Sequence, residues 1–251
     1  MSRTRLYIFA ISHFCEKSRW ALDYLGIDYQ LVFMAPGLHM RKARSLGLPA
    51  TSLPILQSDD DLVQGSADIV DWAEPRATAG RLLTPPAHDA ECRALEQRLD
   101  QQIGVHTRRY FYSETLLDHS QHVKAVFLVN QSPGNRIFVT LAWPFLRRKM
   151  IEAMDIGEEQ GRESRDILES ELNWLEGLLA DGRPYLAGDT FTRADIAACA
   201  LLARLASAQE HPYARTAFVP PRLAEQQAAW RDRPVLKWVR AVYRKHRQDV
   251  P

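Results

Sequence analysis

Hydrophobic positions change their period along this chain, and the changes mark its elements. Leu6 to Ile11 is an unbroken apolar run that reads as a buried strand. From Cys15 to Leu25 the period becomes helical, with Trp20, Ala21, Tyr24 and Leu25 on neighbouring faces, and Gly26 stands where a left-handed C-cap costs least. Ile27 to Phe33 alternates as a second strand, and strand-helix-strand order predicts a parallel pair joined by a right-handed crossover. Pro36 and Gly37 break the chain before a short basic segment, His39 to Leu46, spaced as a helix of about two turns. Ser52 to Gln57 and Leu62 to Gln64 flank the acidic turn Ser58 to Asp61 as a hairpin, and Ser66 is an N-cap candidate for a helix through Ile69, Val70 and Trp72.

Beyond a breaker-rich loop, Pro75 to Pro86, the strand pattern does not return. Leu95, Leu99, Ile103 and Tyr110 follow one helical stripe, and Leu168, Leu172, Leu175 and Leu179 another. Thr192 and Asp195 have capping-box spacing, with Phe191 and Ile196 as the accompanying staple, and Ala197 to Leu205 is apolar nearly all round, as a central buried helix would be. The long segment His119 to Met150 holds two apolar pieces around the turn Ser132-Pro133-Gly134-Asn135, and it could form a lid, an enlarged pocket or a dimer contact. The pattern predicts an α/β domain over residues 1–78, a linker over 79–90 and an all-helical domain over 91–251.

Composition narrows the function classes. A chain of 251 residues, 46% hydrophobic and 25% charged, has the make-up of a globular protein of one or two domains. A net charge of +1 gives no electrostatic reason to expect nucleic acid or an anionic membrane as partner. The longest apolar stretch, Ile137 to Leu146, is shorter than the roughly 20 residues a membrane span needs, and Pro144 interrupts it. Cys15, Cys92 and Cys199 have neither disulfide-framework nor zinc spacing, so a reducing, cytoplasmic setting without a metal is expected. The basic run Lys237, Arg240, Arg244, Lys245 and Arg247 reads as the solvated face of a last helix.

Chemistry centres on Cys15-Glu16-Lys17-Ser18, where a strand feeds a helix. A thiol at a helix N-terminus meets unpaired N–H groups and the positive end of the dipole, which favour the thiolate. His13 beside it is read as incidental, and Cys92 and Cys199 as structural.

Taken together, the β-α-β-(α)-β-β-α order, Phe14-Cys15 at the first helix, Ser52-Leu53-Pro54-Ile55-Leu56 at the third strand, Ser66 at the last helix and Gly188 to Ile196 in the second half resemble the cytosolic glutathione transferases. That resemblance implies a thioredoxin-like domain that binds glutathione as co-substrate, a helical domain that supplies a pocket for a small electrophile, and a homodimer. It also implies roles for single residues. Pro54 would be the family's cis-proline, Leu53 would offer its backbone to the cysteinyl part of glutathione, and Ser66 would receive the γ-glutamyl carboxylate. The residue before that serine is usually acidic or amide-bearing, whereas here it is Gly65, preceded by Gln64. His39, Arg41 and Lys42 lie where the glycyl carboxylate needs a cation. Phe14-Cys15 resembles the cysteine-type classes, with Cys15 as the favoured active-site thiol and the Ser12 hydroxyl as the competing assignment. Tyr110, Phe111 and Tyr112 lie where the electrophile pocket is expected, and Trp72 with Cys92 to Leu99 where a dimer surface is. The remaining alternative is a non-catalytic binding or interaction protein on the same fold, for which Gly65 is the main hint.

Overall fold

Residues 4–212 and 218–247 are described in the computed structural model of the chain. A four-stranded mixed sheet organises the first third: β1 (Arg5–Ile8), β2 (Gln30–Phe33), β3 (Ile55–Gln57) and β4 (Leu62–Gln64) lie in the order β2-β1-β3-β4. β1 pairs parallel with β2, Leu6 opposite Leu31, and antiparallel with β3, Leu6 opposite Leu56. The crossover between β1 and β2 is α1 (His13–Leu25), ended by Gly26 in the left-handed conformation at φ +70°. α2 (Leu38–Ser45) and α3 (Ser66–Ala73) complete the thioredoxin-like unit.

Eight helices follow among the described residues: α4 (Asp89–Arg98), α5 (Val105–Thr115), α6 (Ser120–Phe127), α7 (Pro133–Met154), α8 (Glu158–Leu178), α9 (Arg193–Ala206), α10 (Pro221–Trp230) and α11 (Pro234–His246). α4 runs into α5 through a wider π-type stretch, Leu99–Gly104, which the apolar stripe did not disclose. The long middle segment forms α6 and α7, with Ser132 capping α7 by accepting the Asn135 N–H and Pro133 in its first turn. Pro144, expected to interrupt this stretch, lies inside α7. One face of α7 remains open to solvent: Ile137 is 62% exposed, Leu141 78% and Phe145 63%. No described helix is long and apolar enough to cross a membrane.

The capping box at α9 forms as the spacing predicts. Asp195 Oδ2 accepts the Thr192 backbone N–H at 2.8 Å, and its other oxygen accepts the Leu186 N–H at 2.8 Å. α9 is the hub of the helical domain, with α1, α4 and α11 packed around it, and Arg204 is its one residue that is not buried.

Buried ion pairs lace the two halves together. Lys17 of α1, fully buried, binds Glu96 at 2.8 Å and Asp100 at 2.6 Å. Arg193 at the start of α9 binds Glu96 and Asp71 and donates to the Ala67 carbonyl at 3.1 Å. Arg247, read from sequence as part of a solvated face, is instead buried against Glu16 and Asp23, each at 2.7 Å; Lys237, Arg244 and Lys245 are exposed. Two carboxylates reach it from α1, and no periodicity within α11 could register them.

Candidate active site

The strand-to-helix turn after β1 carries the first functional groups. Ser12 has extended backbone (φ −79°, ψ 121°), and its side chain caps α1 by accepting the Cys15 N–H at 3.4 Å. As acceptor in that bond, the hydroxyl still carries a proton it can donate, and it is also in contact with the Cys15 thiol. Cys15, one turn on, faces the core and is 1% exposed. The helix end was expected to favour its thiolate, but the balance runs the other way. Burial pushes the thiol up to about 11, against the smaller opposing pull of its contact with Ser12 and of the Phe9 backbone.

His13 opens α1 and is buried, and its Nε2–H donates to the Gly104 carbonyl at 3.0 Å. Burial first, then the charge of Arg108, lowers its pKa to about 3, so the ring stays neutral. Its role is structural: it ties the turn to the π-type stretch. Gly104 permits that approach, since a Cβ there would stand 2.5 Å from the Phe14 ring.

A second set of groups comes from β3 and α3. The Leu53–Pro54 bond is cis. Gln64 is committed to the loop ahead of it, donating to the Ala50 and Ser52 carbonyls at 3.0 and 2.8 Å. Gly65 takes φ +114°, a backbone region that side chains rarely adopt, which accounts for glycine at this position. Ser66 is buried in the first turn of α3, and no side chain caps that helix end, so its N–H groups remain available to an anion. The exposed Asp68 carboxylate lies 2.9 Å from where a Cβ of residue 65 would stand. It therefore occupies the space a side chain at 65 would have taken, a placement that residue spacing alone did not reveal.

Between the two domains lies a cavity of about 640 Å³. The thioredoxin-like side contributes Phe9, Ile11, Ser12, His13, Phe14, His39 and Leu53. The helical side contributes Arg108, Phe111 and Tyr112 from α5, Val123, Val126 and Phe127 from α6, Leu146 and Met150 from α7, and Arg204 from α9. The segment left open between lid, pocket and dimer contact thus forms pocket wall. Of the three expected aromatics, Phe111 and Tyr112 line this cavity, whereas Tyr110 borders a separate polar cleft. Burial pushes the Tyr112 phenol up to about 12, with Arg204 and Arg108 pulling it down. Among the cations expected near α2, His39 lines the cavity, while the Lys42 ammonium lies 4.9 Å from the centre of the Tyr7 ring, outside the lining. Within the stretch read as a dimer surface, Cys92, Glu96 and Leu99 are buried, while Arg93, Ala94, Gln97 and Arg98 are exposed. Among the described residues no cluster of His, Cys, Asp and Glu could hold a metal ion.

A thioredoxin-like domain with a cis-proline loop, joined across a cleft to a helical domain, defines the class of two-domain, glutathione transferase-type folds. The sequence matches the glutathione S-transferase N-terminal domain over residues 6–80 and the C-terminal domain over residues 158–245. The chain belongs to the glutathione S-transferase superfamily. No curated protein matches its sequence significantly. Among solved structures it is similar to a glutathione S-transferase of Ceriporiopsis subvermispora in complex with glutathione, at 18% identity and TM-score 0.67 over 99% of both chains. It is also similar to the glutathione transferase GSTFuA3 of Phanerochaete chrysosporium, at 15% identity and TM-score 0.68 over 99% of this chain and 98% of that one. The beta-etherase LigF of a Sphingobium species is similar at 20% identity and TM-score 0.59, over 94% of this chain and 98% of that one.

Proposed function

We propose that this chain conjugates glutathione to a small electrophile, with the Ser12 hydroxyl donating a hydrogen bond to the glutathione thiolate. The observation that carries this reading is the contrast at the start of α1: Ser12 lines the cavity with a hydroxyl that can donate, while Cys15 is 1% exposed with a raised pKa. A hydrogen bond to the charged form lowers the thiol pKa, so more of the bound glutathione is nucleophilic at neutral pH. The sulfur then attacks the electrophile held against Phe111 and Tyr112, and catalysis comes from ionisation and alignment. Cys15 serves as a packed core residue.

The remaining contacts follow the tripeptide. Leu53 offers its backbone to the cysteinyl unit. The N-terminus of α3, with Ser66, receives the γ-glutamyl carboxylate, and Asp68 takes the part of the acidic side chain missing at Gly65 by facing the γ-glutamyl amine. Of the residues read for the glycyl carboxylate, His39 lines the cavity ahead of Lys42, with its pKa lowered by burial. With Asp68 supplying the carboxylate, Gly65 no longer argues for a non-catalytic scaffold. The homodimer and a cytoplasmic setting remain part of this reading on family grounds.

Turnover of a chloronitroarene with glutathione tests the assignment. Ser12→Ala is expected to lose on the order of 10²-fold in kcat/KM, as for removal of one positioned hydrogen-bond donor. Cys15→Ala is expected to stay within a few fold of the parent. The reverse pattern, with a glutathione adduct on Cys15, would return the role to the cysteine.

A further inference from the structure

We infer that the second substrate of this site is an apolar, aromatic-sized molecule bearing a carboxylate or a comparable anion, and that Arg108 and Arg204 receive it. The inference deepens the proposed function by naming a substrate class, and rests on that reading for the role of substrate.

Apart from Tyr112, every ionisable side chain on the cavity wall among the described residues is a cation or a histidine: His13, His39, Arg108, His122, Lys149 and Arg204. No described carboxylate lines it. Most of the rest is apolar, so an anion bound there meets a low dielectric and an uncompensated positive field. The two arginines are the most telling members. Arg204 is the one residue of the hub helix α9 that is not buried, and the cavity is where it is exposed. Arg108 projects from α5 onto the same wall.

How the fold treats its other enclosed arginines sharpens the contrast. Arg193 and Arg247 are each met by two carboxylates. Among the described residues Arg108 and Arg204 have no carboxylate within ion-pair reach; Arg204 has only the Phe111 ring, 5.2 Å from its guanidinium carbon. Burial lowers both arginines from their ordinary pKa, which is the signature of cations held away from water without a counter-charge. Both charges act on His13 and on Tyr112, so they bear on one stretch of wall. Behind that wall Arg108 Nε is itself buried without a partner, so the rest of its guanidinium is what can reach a bound anion. A carboxylate between the two guanidinium groups can accept from both at once. The carboxylates of glutathione are spoken for elsewhere in the proposed function, at α2 and α3, whereas both arginines stand on the helical domain.

Calorimetric titration with a matched pair, naphthalene-2-carboxylate and naphthalene-2-carboxamide, tests this on the full chain. The carboxylate is expected to bind about tenfold more tightly or better. That preference should shrink toward one in Arg108→Met and in Arg204→Met and persist in the corresponding lysine variants, with circular dichroism confirming the helical fold of each. Equal affinity of the two probes for the unaltered protein, which needs no variant, overturns the inference. So does a preference that survives both methionine substitutions. Glutathione is titrated separately: absence of its binding with the carboxylate preference intact fails the transferase reading alone, and normal glutathione binding without the preference fails this inference alone.

Discussion

Gly65 and Asp68 carry the residue-scale lesson. In the sequence, glycine before Ser66 looks like a lost contact, because spacing records which side chain is missing and not which one fills its place. The backbone supplies both halves of the answer: φ +114° calls for glycine, and Asp68 fills the space beside it. Gly65→Ala is expected to lower stability by about 1–3 kcal/mol, the usual cost of a side chain in that backbone region, read by chemical denaturation. Its Cβ would also press on Asp68, so glutathione affinity should fall with it; unchanged affinity would exclude Asp68 from the site. His13 makes a pH prediction. Its folded pKa, about 3, lies below the 6.5 of an unfolded histidine, so the unfolded chain binds the extra proton first. Its contribution is complete above pH 6.5 and is lost as pH falls from there toward 3. The buried His211, lowered to about 4, acts with the same sign. The unfolding free energy should thus drop by up to about 1.4 kcal/mol per pH unit for each of these histidines. His13→Gln should flatten the slope, as denaturant titrations between about pH 7 and 5 can check.

Elements were legible where their signals were local. The turn from Gly26 and the Thr192–Asp195 box depend on residues within one helical turn of each other, whereas Ser132 to Asn135, read as a turn, is the cap and first turn of α7. Asp195 also reaches Leu186, which no motif announces. Asp195→Ala strips acceptors from two backbone N–H groups and is expected to cost about 2–4 kcal/mol, seen as a lower denaturation midpoint; a cost below 1 kcal/mol would mean water replaces it freely. By contrast, the π-type stretch and α7 escaped the pattern. A wider turn leaves Leu99 and Ile103 buried just as an α-turn would, and the apolar positions of α7 divide between cavity wall and open face, which blurs their period.

At the scale of the whole molecule, the order of elements made the fold readable, while the site depended on contacts far apart in sequence. Ser12 and Cys15 looked alike as candidates because both stand at one helix start. Packing of α1 against α9 and α3 separates them: Cys15 is in the core, and Ser12 is on the cavity wall. The same packing creates the ion-pair network that no single motif contains. Arg193→Met would leave Glu96 buried with Lys17 as its remaining partner. It should cost about 3–5 kcal/mol in denaturation, and a neutral outcome would show that the network is replaceable by apolar packing.

The account turns on which group ionises glutathione, and the thiolate absorbance of protein-bound glutathione, followed against pH, reads this directly. In the unaltered protein the midpoint is expected below the roughly 8.5 of a free thiol. Ser12→Asp keeps a good helix cap but removes the donor and adds a negative charge, so the midpoint should rise to the free value or above it with thermal stability preserved. A midpoint that ignores Ser12→Asp and moves instead in Cys15→Ala would contradict the account.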